Sequence, residues 1–450
     1  MAEVAFLVYG GPDKQGFRKS ASFDWLGNIG AYMVIDCLRR AGIEVGFCSP
    51  ATAHEHKVIL ASFTSSFDTY NFLRAVAKVP SWRSRKFRVI AGGFGLQNVY
   101  PLRELIDYAV FGRCESFIAG MVKAVLEGKD YTHESLMALE DGVKKVVLGQ
   151  AGGLYPHELD TQPIKYQEME IGCPRRCLFC HYSFARKRLT SNKEMFRGAL
   201  GWTAKEVLFD RLLQDSNLKG MTRTAIDGFS ERLRLAFHKP ITDKMIKETI
   251  EKLSIMWNGS SVWLKLYQIG SFPTETEDDR RQFTKLINSC ECKGKRVRID
   301  IHVTPFRPSA LTPAAYLPVD IGFSWRRIAS TNIAHKPTLE VFYTPTIETS
   351  FSHLKELIVI RATEESDEIL DAICFNRALE KISAEARPRV ISKHFDLSPY
   401  LREYHTEEQL PTWYLTGHVP DEQVRAMARK LKADLGMPEK RVNEKQKHQE

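Results

Sequence analysis

A short loop with three cysteines constrains this chain more than any other feature. Cys173, Cys177 and Cys180 are separated by three and then two residues, and they directly follow a strand-like run. Cysteine thiolates are the usual ligands of iron–sulfur clusters. Three of them can hold three irons of a cubane while the fourth iron stays open for another ligand. The spacing therefore predicts an open [4Fe-4S] cluster held by these three cysteines.

The same loop leaves a zinc site open as an alternative. Structural zinc takes four ligands, commonly from two paired clusters of cysteine or histidine. The chain contains no second C-x2-C pair, and His181, which directly follows Cys180, could supply the fourth ligand, although zinc sites rarely use this spacing. Cys290 and Cys292 form a C-x-C pair in a charged stretch, which is too small a set for an auxiliary cluster. The residues therefore favour the iron–sulfur cluster.

Composition limits the classes of protein to which the chain can belong. Its 450 residues predict two or three domains, and 43% hydrophobic with 26% charged residues is typical of a soluble globular protein. The sequence has no run of eighteen apolar residues, and its N-terminus looks like a first strand rather than a signal peptide, so we expect no membrane span. Nine cysteines, an odd number and mostly scattered, indicate a reducing compartment, the cytoplasm or, for a viral protein, the host cytoplasm.

Residues 1–128 alternate between strand-like and helical patterns. Apolar runs at 4–9, 44–48, 58–64 and 87–91 are separated by helical spacing at 29–41 and 67–79. Strands that alternate with helices predict an α/β fold with a parallel, doubly wound, Rossmann-like sheet. Residues 129–163 lack clear periodicity and contain Gly152-Gly153 and two prolines, so we interpret them as a linker.

Three segments downstream of the cysteines carry a resemblance to a known family. Residues 225–250 contain Ser230-Glu231-Arg232-Leu233-Arg234 followed by Lys239, and residues 262–279 read VWLKLYQIGSFPTETEDD. The second of these predicts a strand, a glycine turn at Gly270 and a helix that starts with a Thr274–Glu277 capping box. Residues 296–313, RVRIDIHVTPFRPSALTP, form an alternating strand with a proline-rich end. With the cysteine spacing, these segments resemble the radical S-adenosylmethionine (SAM) superfamily, in the subgroup that contains methylthiotransferases, Elongator-type cores and cobalamin-dependent members.

The resemblance implies cofactors and site residues. Cys173, Cys177 and Cys180 would hold the [4Fe-4S] cluster, whose open iron binds SAM, and a reductant such as flavodoxin or ferredoxin would supply the electron. Phe179 would shield the cluster, and Tyr182 and Tyr267 would be pocket walls. The cofactor-binding residues implied for SAM are Phe179, Ser230, Glu231, Arg232 and Gly270. No residue of this sequence is indicated as the catalytic acid, base or hydrogen donor.

The resemblance also implies a domain order. The Rossmann-like domain of residues 1–128 would resemble a cobalamin-binding domain, and the linker of 129–163 would lead to a radical SAM barrel core at 164–320. In the family this barrel is a partial (β/α)6 barrel. Residues 321–435 would form a small C-terminal α/β extension, and the polar tail of 436–450 is predicted to be disordered.

Cobalamin stays an open question at this point. The turn Ala91-Gly92-Gly93 and the later FGRCES stretch resemble the end of the cobalamin-binding domain, although Arg113 and Cys114 depart from that pattern. The Asp-x-His-x-x-Gly motif that supplies a histidine to cobalt is absent, and His54 and His56 lack its spacing. The alternative is a Rossmann-like domain that was kept for packing or substrate binding.

The charge of the chain points to an anionic partner. The formal net charge is +9, and the 33 residues around the cysteines hold eight Lys or Arg against three Asp or Glu. We predict that Arg186, Lys187 and Arg188 bind substrate, and that DNA or a nucleotide is a candidate partner. The leading hypothesis is a phage radical SAM isomerase that rearranges an amino-acid adduct on thymidine in DNA. The alternatives are a cobalamin-dependent methyltransferase of a small molecule or peptide, and a non-enzymatic, cluster-bearing binding protein.

Overall fold

The structure is a computed structural model of the 450-residue chain. It describes residues 2–9, 29–76, 79–160, 165–168, 170–173, 175–190, 209–214, 221–257, 261–321, 337–345, 350–376, 379, 382, 386–406 and 409–438. The predicted disordered tail lies outside these ranges from residue 439 onward.

A six-stranded sheet forms the N-terminal part of the fold. Its spatial order is β2-β1-β3-β4-β5-β6, with neighbours parallel except for the antiparallel edge pair of β5 and β6. The order 2-1-3-4-5 is that of a flavodoxin-like doubly wound sheet. The strands are β1 (Val4–Leu7), β2 (Val45–Cys48), β3 (Val58–Ser62), β4 (Arg88–Gly92), β5 (Tyr108–Val110) and β6 (Leu136–Ala138). The helices are α1 (Ile29–Arg40), α2 (Phe67–Val76), α3 (Pro80–Arg83) and α4 (Ile118–Leu126).

Alternation along the strands gives this sheet two buried faces. Phe6 and Leu60 belong to a hydrophobic cluster with residues of α1 and α4 on one face. Leu7 and Ala61, their neighbours in sequence, belong to a second cluster with residues of α2 on the other face. Both faces of a parallel sheet are normally covered in this way, so the strands read as continuous apolar runs.

Short strands and a short helix connect the first sheet to the second. The elements are β7 (Val146–Val147), β8 (Leu159–Asp160), β9 (Lys165–Tyr166), β10 (Glu170–Ile171), α5 (His181–Ala185) and β11 (Leu189–Thr190). Strand β8 pairs with β9 and β10 pairs with β11, both antiparallel. The second pair closes the segment that contains the three cysteines.

A second sheet of four described strands is parallel throughout, in the order β12-β13-β14-β15. Its strands are β12 (Met221–Ala225), β13 (Val262–Gly270), β14 (Val297–Pro305) and β15 (Leu339–Pro345), and the helices α6 (Glu231–Ala236), α7 (Asp243–Met256) and α8 (Glu277–Ser289) follow β12 and β13. Ile250 of α7 and Phe283 of α8 are buried with Leu264 and Ile299 on one face of the sheet.

The opposite face of the second sheet carries charged and aromatic side chains. On β14, Arg298 lies with its guanidinium carbon 4.9 Å from the ring centroid of Trp263 and 4.4 Å from that of Phe342. Further along the same strand, His302 bonds Asp300 (Nε2–Oδ2, 3.0 Å). A face of this composition is unsuited to a dry core, and it is the face that would line the lumen of a barrel.

The C-terminal residues return to the first sheet. The elements here are α9 (Ser350–Arg361), α10 (Asp367–Phe375), α11 (Arg387–His394), α12 (Ser398–Leu401), β16 (Leu415–Thr416) and α13 (Asp421–Asp434). Residues of α9 and α10 join the same hydrophobic cluster as α2, and β16 pairs in parallel with β7. Short 3-10 helices occur at Ala53–Glu55, Tyr100–Leu102, Leu139–Asp141, Phe209–Gln214, Pro313–Tyr316 and Glu364–Ser366.

These observations confirm the α/β fold class, with a Rossmann-like first sheet and a second parallel sheet of barrel type. The predicted elements at 4–9, 29–41, 44–48, 58–64 and 87–91 are all present with ends shifted by a few residues. The domain boundaries stay predictions. No helix in the described ranges is both long and apolar enough to cross a membrane.

Buried Asn98 joins the C-terminal region to the first sheet. Its Nδ2 lies 3.1, 3.1 and 2.9 Å from the carbonyl oxygens of Val359, Ile360 and Ala362 at the end of α9. Its Oδ1 accepts from the hydroxyl of Tyr414 at 3.3 Å. The last carbonyls of a helix have no partner within the helix, and this amide provides one.

We predict that Asn98→Leu lowers the free energy of unfolding by about 3 kcal/mol, because it leaves buried carbonyls without a donor and the hydroxyl of Tyr414 without its acceptor. Urea unfolding of the full chain would measure the change. Gln282→Leu, on the exposed face of α8, is the control and should change stability by less than about 0.5 kcal/mol. Equal stability of Asn98→Leu and the wild type would contradict the assigned role.

Candidate active site

Residues 173–180, here called the cysteine loop, leave β10 and lead into α5. Gly172 directly precedes the loop, has φ +76°, and a Cβ atom there would lie 3.0 Å from the Cα of Arg188. Any other residue would be strained at this position. The backbone N–H of Gly172 donates to the hydroxyl of Tyr182 at 3.0 Å. The chain before the cysteine loop and the chain after it therefore lie against each other. Residues 168–190 are called the cysteine segment below.

Backbone hydrogen bonds hold the cysteine loop against the second sheet. Leu178 donates its N–H to the carbonyl of Phe237 (3.0 Å) and accepts from the N–H of Ala314 (3.0 Å). His181 bonds the carbonyl of Ala310 through Nδ1 at 2.8 Å. Burial lowers the pKa of His181 to about 4, so the ring is neutral near pH 7 and its Nδ1–H is the donor.

Aromatic packing beneath the loop comes from three different strand ends. The ring of Phe179 lies 6.0 Å from that of Phe237 and 5.9 Å from that of Phe272, between centroids. Phe306 contacts both of these rings, at 5.9 and 5.3 Å. Phe237 follows β12 and α6, Phe272 follows β13, and Phe306 follows β14. The cysteine loop therefore lies at the carboxyl edge of the parallel sheet, where active sites of (β/α) barrels lie.

Backbone strain is concentrated in the same place. Five of the six non-glycine residues with a left-handed φ in the described ranges lie in the cysteine loop or in the loops directly after β12, β13 and β14, and the sixth, His238, follows Phe237 after α6. Side chains other than glycine rarely adopt this conformation, and strained residues cluster at functional sites. The six residues are Arg176, Asp227, His238, Ser271, Thr274 and Leu311.

The three cysteine side chains share one electrostatic environment. Cys177 is buried, and Cys173 and Cys180 are half-buried. Burial raises the pKa of Cys177 to about 12, with the nearby charge of Lys239 opposing the rise. Burial also raises the pKa of Cys180, which interacts with Cys173. The thiols therefore influence one another, as expected for ligands of one group.

No compact set of three His, Cys, Asp or Glu side chains suited to a single metal ion occurs within the described ranges. A mononuclear zinc site would draw its sulfurs to about 2.3 Å from one ion. In a cubane each thiolate binds a different iron, so three sulfurs need not meet at one point. The loop supplies the donor type and the shared location that a [4Fe-4S] cluster requires.

The residues that the resemblance assigned to SAM make contacts within the edge loops. Ser230 caps α6 and donates to Asp279 at 2.5 Å, and Glu231 accepts from the N–H of Asp243 at 2.6 Å. Arg232 donates to Asp279 (2.7 Å) and to the carbonyl of Thr274 (3.0 Å). Their roles toward SAM remain predictions, and their observed contacts order the surrounding loops.

The turn after β13 corrects one prediction. The carbonyl of Gly270 accepts from the N–H of Phe306 at 2.8 Å and so ties the ends of β13 and β14 together. The capping box of α8 is formed by Thr276 and Asp279, not by Thr274 and Glu277. Thr274 cannot cap this helix because it lies two residues earlier, in a left-handed turn.

A cavity of about 300 Å³ lies at the carboxyl edge of the first sheet, here called the first-sheet cavity. Strands β1, β3, β4 and β5 line it, and the stretch around the cysteines contributes Glu168, Glu170, Tyr182 and Arg186. Gly93 after β4 has φ +109°, and a Cβ atom there would lie 2.4 Å from the carbonyl oxygen of Phe63. Ligands of doubly wound sheets bind in the crevice at this edge, where the strand order reverses. The volume is at the small end of the range for ligand pockets.

Among the predicted substrate-binding residues, Arg186 is the one that lines this cavity. Its guanidinium carbon lies 5.4 Å from the ring centroid of Phe94 and 5.1 Å from that of Tyr182. No carboxylate forms an ion pair with it within the described part of the chain. Lys187 and Arg188 are exposed, and Arg188 bonds Glu170 at 3.2 Å.

Arg113, which departs from the cobalamin-domain pattern, links the first sheet to the cysteine segment. It donates from two nitrogens to Glu168 (2.6 and 3.0 Å) and pairs with Glu115 (2.6 Å). His54 and His56 bond backbone carbonyls at Ala51 and Ala2. No histidine belongs to the described lining of the first-sheet cavity.

Three functional features were not assigned from sequence. Phe94 forms part of the wall of the first-sheet cavity. The only sequence signal near it was the preceding glycine pair, which predicted a turn. Glu168 accepts hydrogen bonds from Arg113, which is distant in sequence, and no local sequence pattern predicts such a contact. Lys239 and Asp227 form a buried ion pair beside the cysteines (2.7 Å). For this last pair, the only sequence signal was a lysine within the segment that resembled the family.

Comparisons with known proteins place two solved structures beside this chain. No protein-family description and no curated protein matches the sequence. The apo, selenomethionine-labelled cobalamin-dependent S-adenosylmethionine radical enzyme OxsB is 12% identical with a TM-score of 0.28, over 84% of this chain and 56% of that chain. OxsB with aqua-cobalamin and S-adenosylmethionine bound gives 12% and 0.26 over the same shares. The chain thus spans about half the length of these structures.

At this identity and TM-score, neither likeness assigns a function to this chain.

Buried His353 of α9 bonds the carbonyl of Phe306 through Nε2 at 3.0 Å, and so supports the aromatic wall under the cysteine loop. Burial lowers the pKa of His353 to about 3, whereas an unfolded histidine titrates near pH 6.5. Between these values the unfolded state binds one more proton than the folded state. This contribution to stability is therefore present above about pH 6.5 and is lost as the pH falls.

We predict that the stability difference between wild type and His353→Gln narrows by about 2 kcal/mol from pH 7.5 to pH 5, since one group contributes about 1.4 kcal/mol per pH unit below its unfolded pKa. Urea unfolding of the full chain at both pH values tests this. His394→Gln, at an exposed position of α11, should show no such change. A difference for His353→Gln that does not depend on pH would contradict the assignment.

Proposed function

We propose that this chain is a radical SAM enzyme whose active site is the cysteine loop at the carboxyl edge of the second sheet. One observation carries the proposal: the three cysteines lie against residues that follow β12, β13 and β14, together with five of the six left-handed non-glycine residues in the described ranges. Three thiols alone would also suit zinc. Their placement at the active edge of a parallel sheet favours a cofactor with an open coordination position.

Cys173, Cys177 and Cys180 would hold the cluster. When bound, the cluster supplies one electron, received from a reductant such as flavodoxin or ferredoxin, that cleaves SAM into methionine and a 5′-deoxyadenosyl radical. The chain's own residues hold the loop in place and keep water out. Phe179, Phe237 and Phe272 form an apolar floor, and Leu178 fixes the loop through both backbone groups. Exclusion of water prevents side reactions of a reactive intermediate.

Arg186 supports an anionic substrate. It lies in the wall of the first-sheet cavity, only six residues after Cys180, with its guanidinium over Phe94 and Tyr182. A guanidinium binds phosphate or carboxylate in two-pronged fashion, and neighbouring aromatic rings suit a planar base. We infer hydrogen abstraction from a nucleotide in DNA, with isomerisation of an amino-acid adduct on thymidine as the specific reaction.

The second candidate is a cobalamin-dependent radical SAM methyltransferase that acts on a small molecule or peptide. The observation that favours it is the location of the first-sheet cavity, since Tyr182 and Arg186 of the cysteine segment form part of its wall. A cofactor in that cavity would face the cysteine loop. A histidine for cobalt is missing from the described lining, so cobalamin would have to bind without that ligand.

The first test is SAM cleavage. We predict that anaerobically reconstituted full-length protein converts SAM to 5′-deoxyadenosine under dithionite, and that Cys177→Ala reduces the rate at least about 100-fold because the cluster loses a ligand. Chromatography of the nucleoside product measures this. Cys292→Ala, a buried cysteine in the second-sheet core, should retain cleavage. Inactive wild type, or undiminished cleavage in Cys177→Ala, would reject the radical SAM assignment.

The absorption spectrum of the same purified protein separates the two candidates. Corrinoid bands after growth with cobalamin would favour the methyltransferase. A spectrum with cluster absorption alone would favour the isomerase.

The second test concerns the anionic substrate, with a fluorescent thymidine-containing DNA oligonucleotide as the probe. We predict salt-sensitive binding that Arg186→Gln weakens about tenfold, because a charge-assisted hydrogen bond contributes about 1.5 kcal/mol or more. Lys187→Gln, a matched change at the adjacent exposed cation, should weaken binding less. Equal losses would place the DNA on the exposed surface, and binding that is absent or insensitive to salt would reject the DNA hypothesis.

A further inference from the structure

Lys239 and Asp227 form a buried ion pair that the proposed function does not yet use. Lys239 Nζ donates to Asp227 Oδ2 at 2.7 Å, and the side chains are 11% and 10% exposed. Burying two charges is costly unless they are well paired. Two apolar residues at these positions would avoid that cost. The presence of an ion pair therefore indicates that the charges have a role of their own.

Left-handed backbone conformations occur at one residue of the pair and directly before the other. Asp227 has φ +44°, and His238, directly before Lys239, has φ +57°. The N–H of Lys239 donates to the carbonyl of Arg234 at 2.8 Å, which holds the turn. Left-handed conformations of this kind cost of order 1–3 kcal/mol each. The chain thus accepts strain on both sides of the pair and so positions these two charges.

The pair lies beside the cysteine loop. Leu178, which directly follows Cys177, donates its backbone N–H to the carbonyl of Phe237 at 3.0 Å, and Lys239 is two residues further along the chain. Asp227, Lys239 and Cys177 are all buried. The Coulomb interaction of Lys239 with the thiols of Cys177 and Cys180 agrees with this placement. A positive and a negative group therefore lie near the cysteines, away from solvent.

We propose that the Lys239–Asp227 pair sets the reduction potential of the cluster, with Lys239 stabilising the reduced form and Asp227 moderating that effect. The inference rests on the proposed function, because it requires a cluster at the three cysteines. One-electron reduction adds a negative charge, and a fixed cation nearby makes that addition more favourable. Net charge and solvent exposure are among the factors that tune such potentials, and a buried charge acts through a low dielectric.

The two charges predict shifts of opposite sign. Lys239→Met removes the cation, so the midpoint potential should move to more negative values. Asp227→Asn removes the anion and leaves the cation, so the potential should move to more positive values. Lys239→Met/Asp227→Asn removes both, and its potential should fall between those of the single variants. Lys239→Arg keeps the charge and should stay closest to the wild type.

The experiment is a redox titration of reconstituted full-length protein, followed by electron paramagnetic resonance, with iron and sulfide content measured for each variant. Lys244→Met, at an exposed position of α7, is the control and should leave the potential unchanged. Shifts of opposite sign at full iron content would support the inference. If Lys239→Met does not fold, the positive shift of Asp227→Asn against Lys239→Arg still tests it.

Two outcomes separate failure of this inference from failure of the proposed function. If the wild-type protein takes up no iron and sulfide, it does not hold a cluster, and the proposed function is rejected. Variants that hold a full cluster but share the wild-type potential, or that all shift in the same direction, overturn the electrostatic role and leave the proposed function standing.

Discussion

The structure depends on the shared direction of strands in its two parallel sheets. Parallel strands all end at one edge, so the loops that follow them meet there. Residues that follow strands β12, β13 and β14 place aromatic side chains on one side of the cysteine loop. The ends of β1, β3, β4 and β5 line the first-sheet cavity on the other side. Helix α5 and Arg186 lie between the two edges, because they follow the cysteines directly. A single short segment thereby contacts both sheets.

The loops at these edges are ordered by backbone interactions rather than by long side chains. Leu178 uses both backbone groups, Gly270 and Phe306 join two strand ends, and left-handed residues appear at each turn. Backbone hydrogen bonds do not depend on the identity of the side chains in a loop. They keep the loop backbone, and with it the side chains of the loop, in one position. The proposed active site would need such support to hold its groups in place. The strain in the edge loops is offset by the packing of the sheet below them.

Charge is distributed unevenly around the cysteines. Arg113 is paired with Glu168, Lys239 with Asp227, and Arg307 with the buried Glu356. These pairs neutralise buried charge, which an apolar interior requires. Arg186 differs, since its guanidinium lies over aromatic rings and forms no ion pair in the described ranges, although Glu115, Glu168 and Glu170 line the same cavity. An arginine without an ion pair can bind an anion, and the proposed anionic substrate depends on this property.

Local patterns were sufficient for part of this fold. Apolar runs of five to seven residues predicted β1 to β4 of the first sheet, and a glycine pair predicted the turn after β4, because both signals depend on neighbours in sequence. The edge strand β6 lies within residues 129–163, which we interpreted as a linker. The capping box of α8 was placed two residues too early, since two threonines compete there and only the turn geometry decides between them. The second sheet followed from alternation along β13 and β14, whereas its polar face became visible only once the strands were aligned.

By itself the sequence determined the α/β class, the cysteine spacing and the excess of positive charge near the loop. These properties reside in residue identity and short-range order. Only the tertiary structure decided that Arg186 borders a cavity while Lys187 and Arg188 face solvent, that Arg113 reaches Glu168, and that an ion pair lies beside the thiols. Each of these depends on residues brought together from different strand ends. The direction of parallel strands brings them together, and no local pattern records which ends will meet.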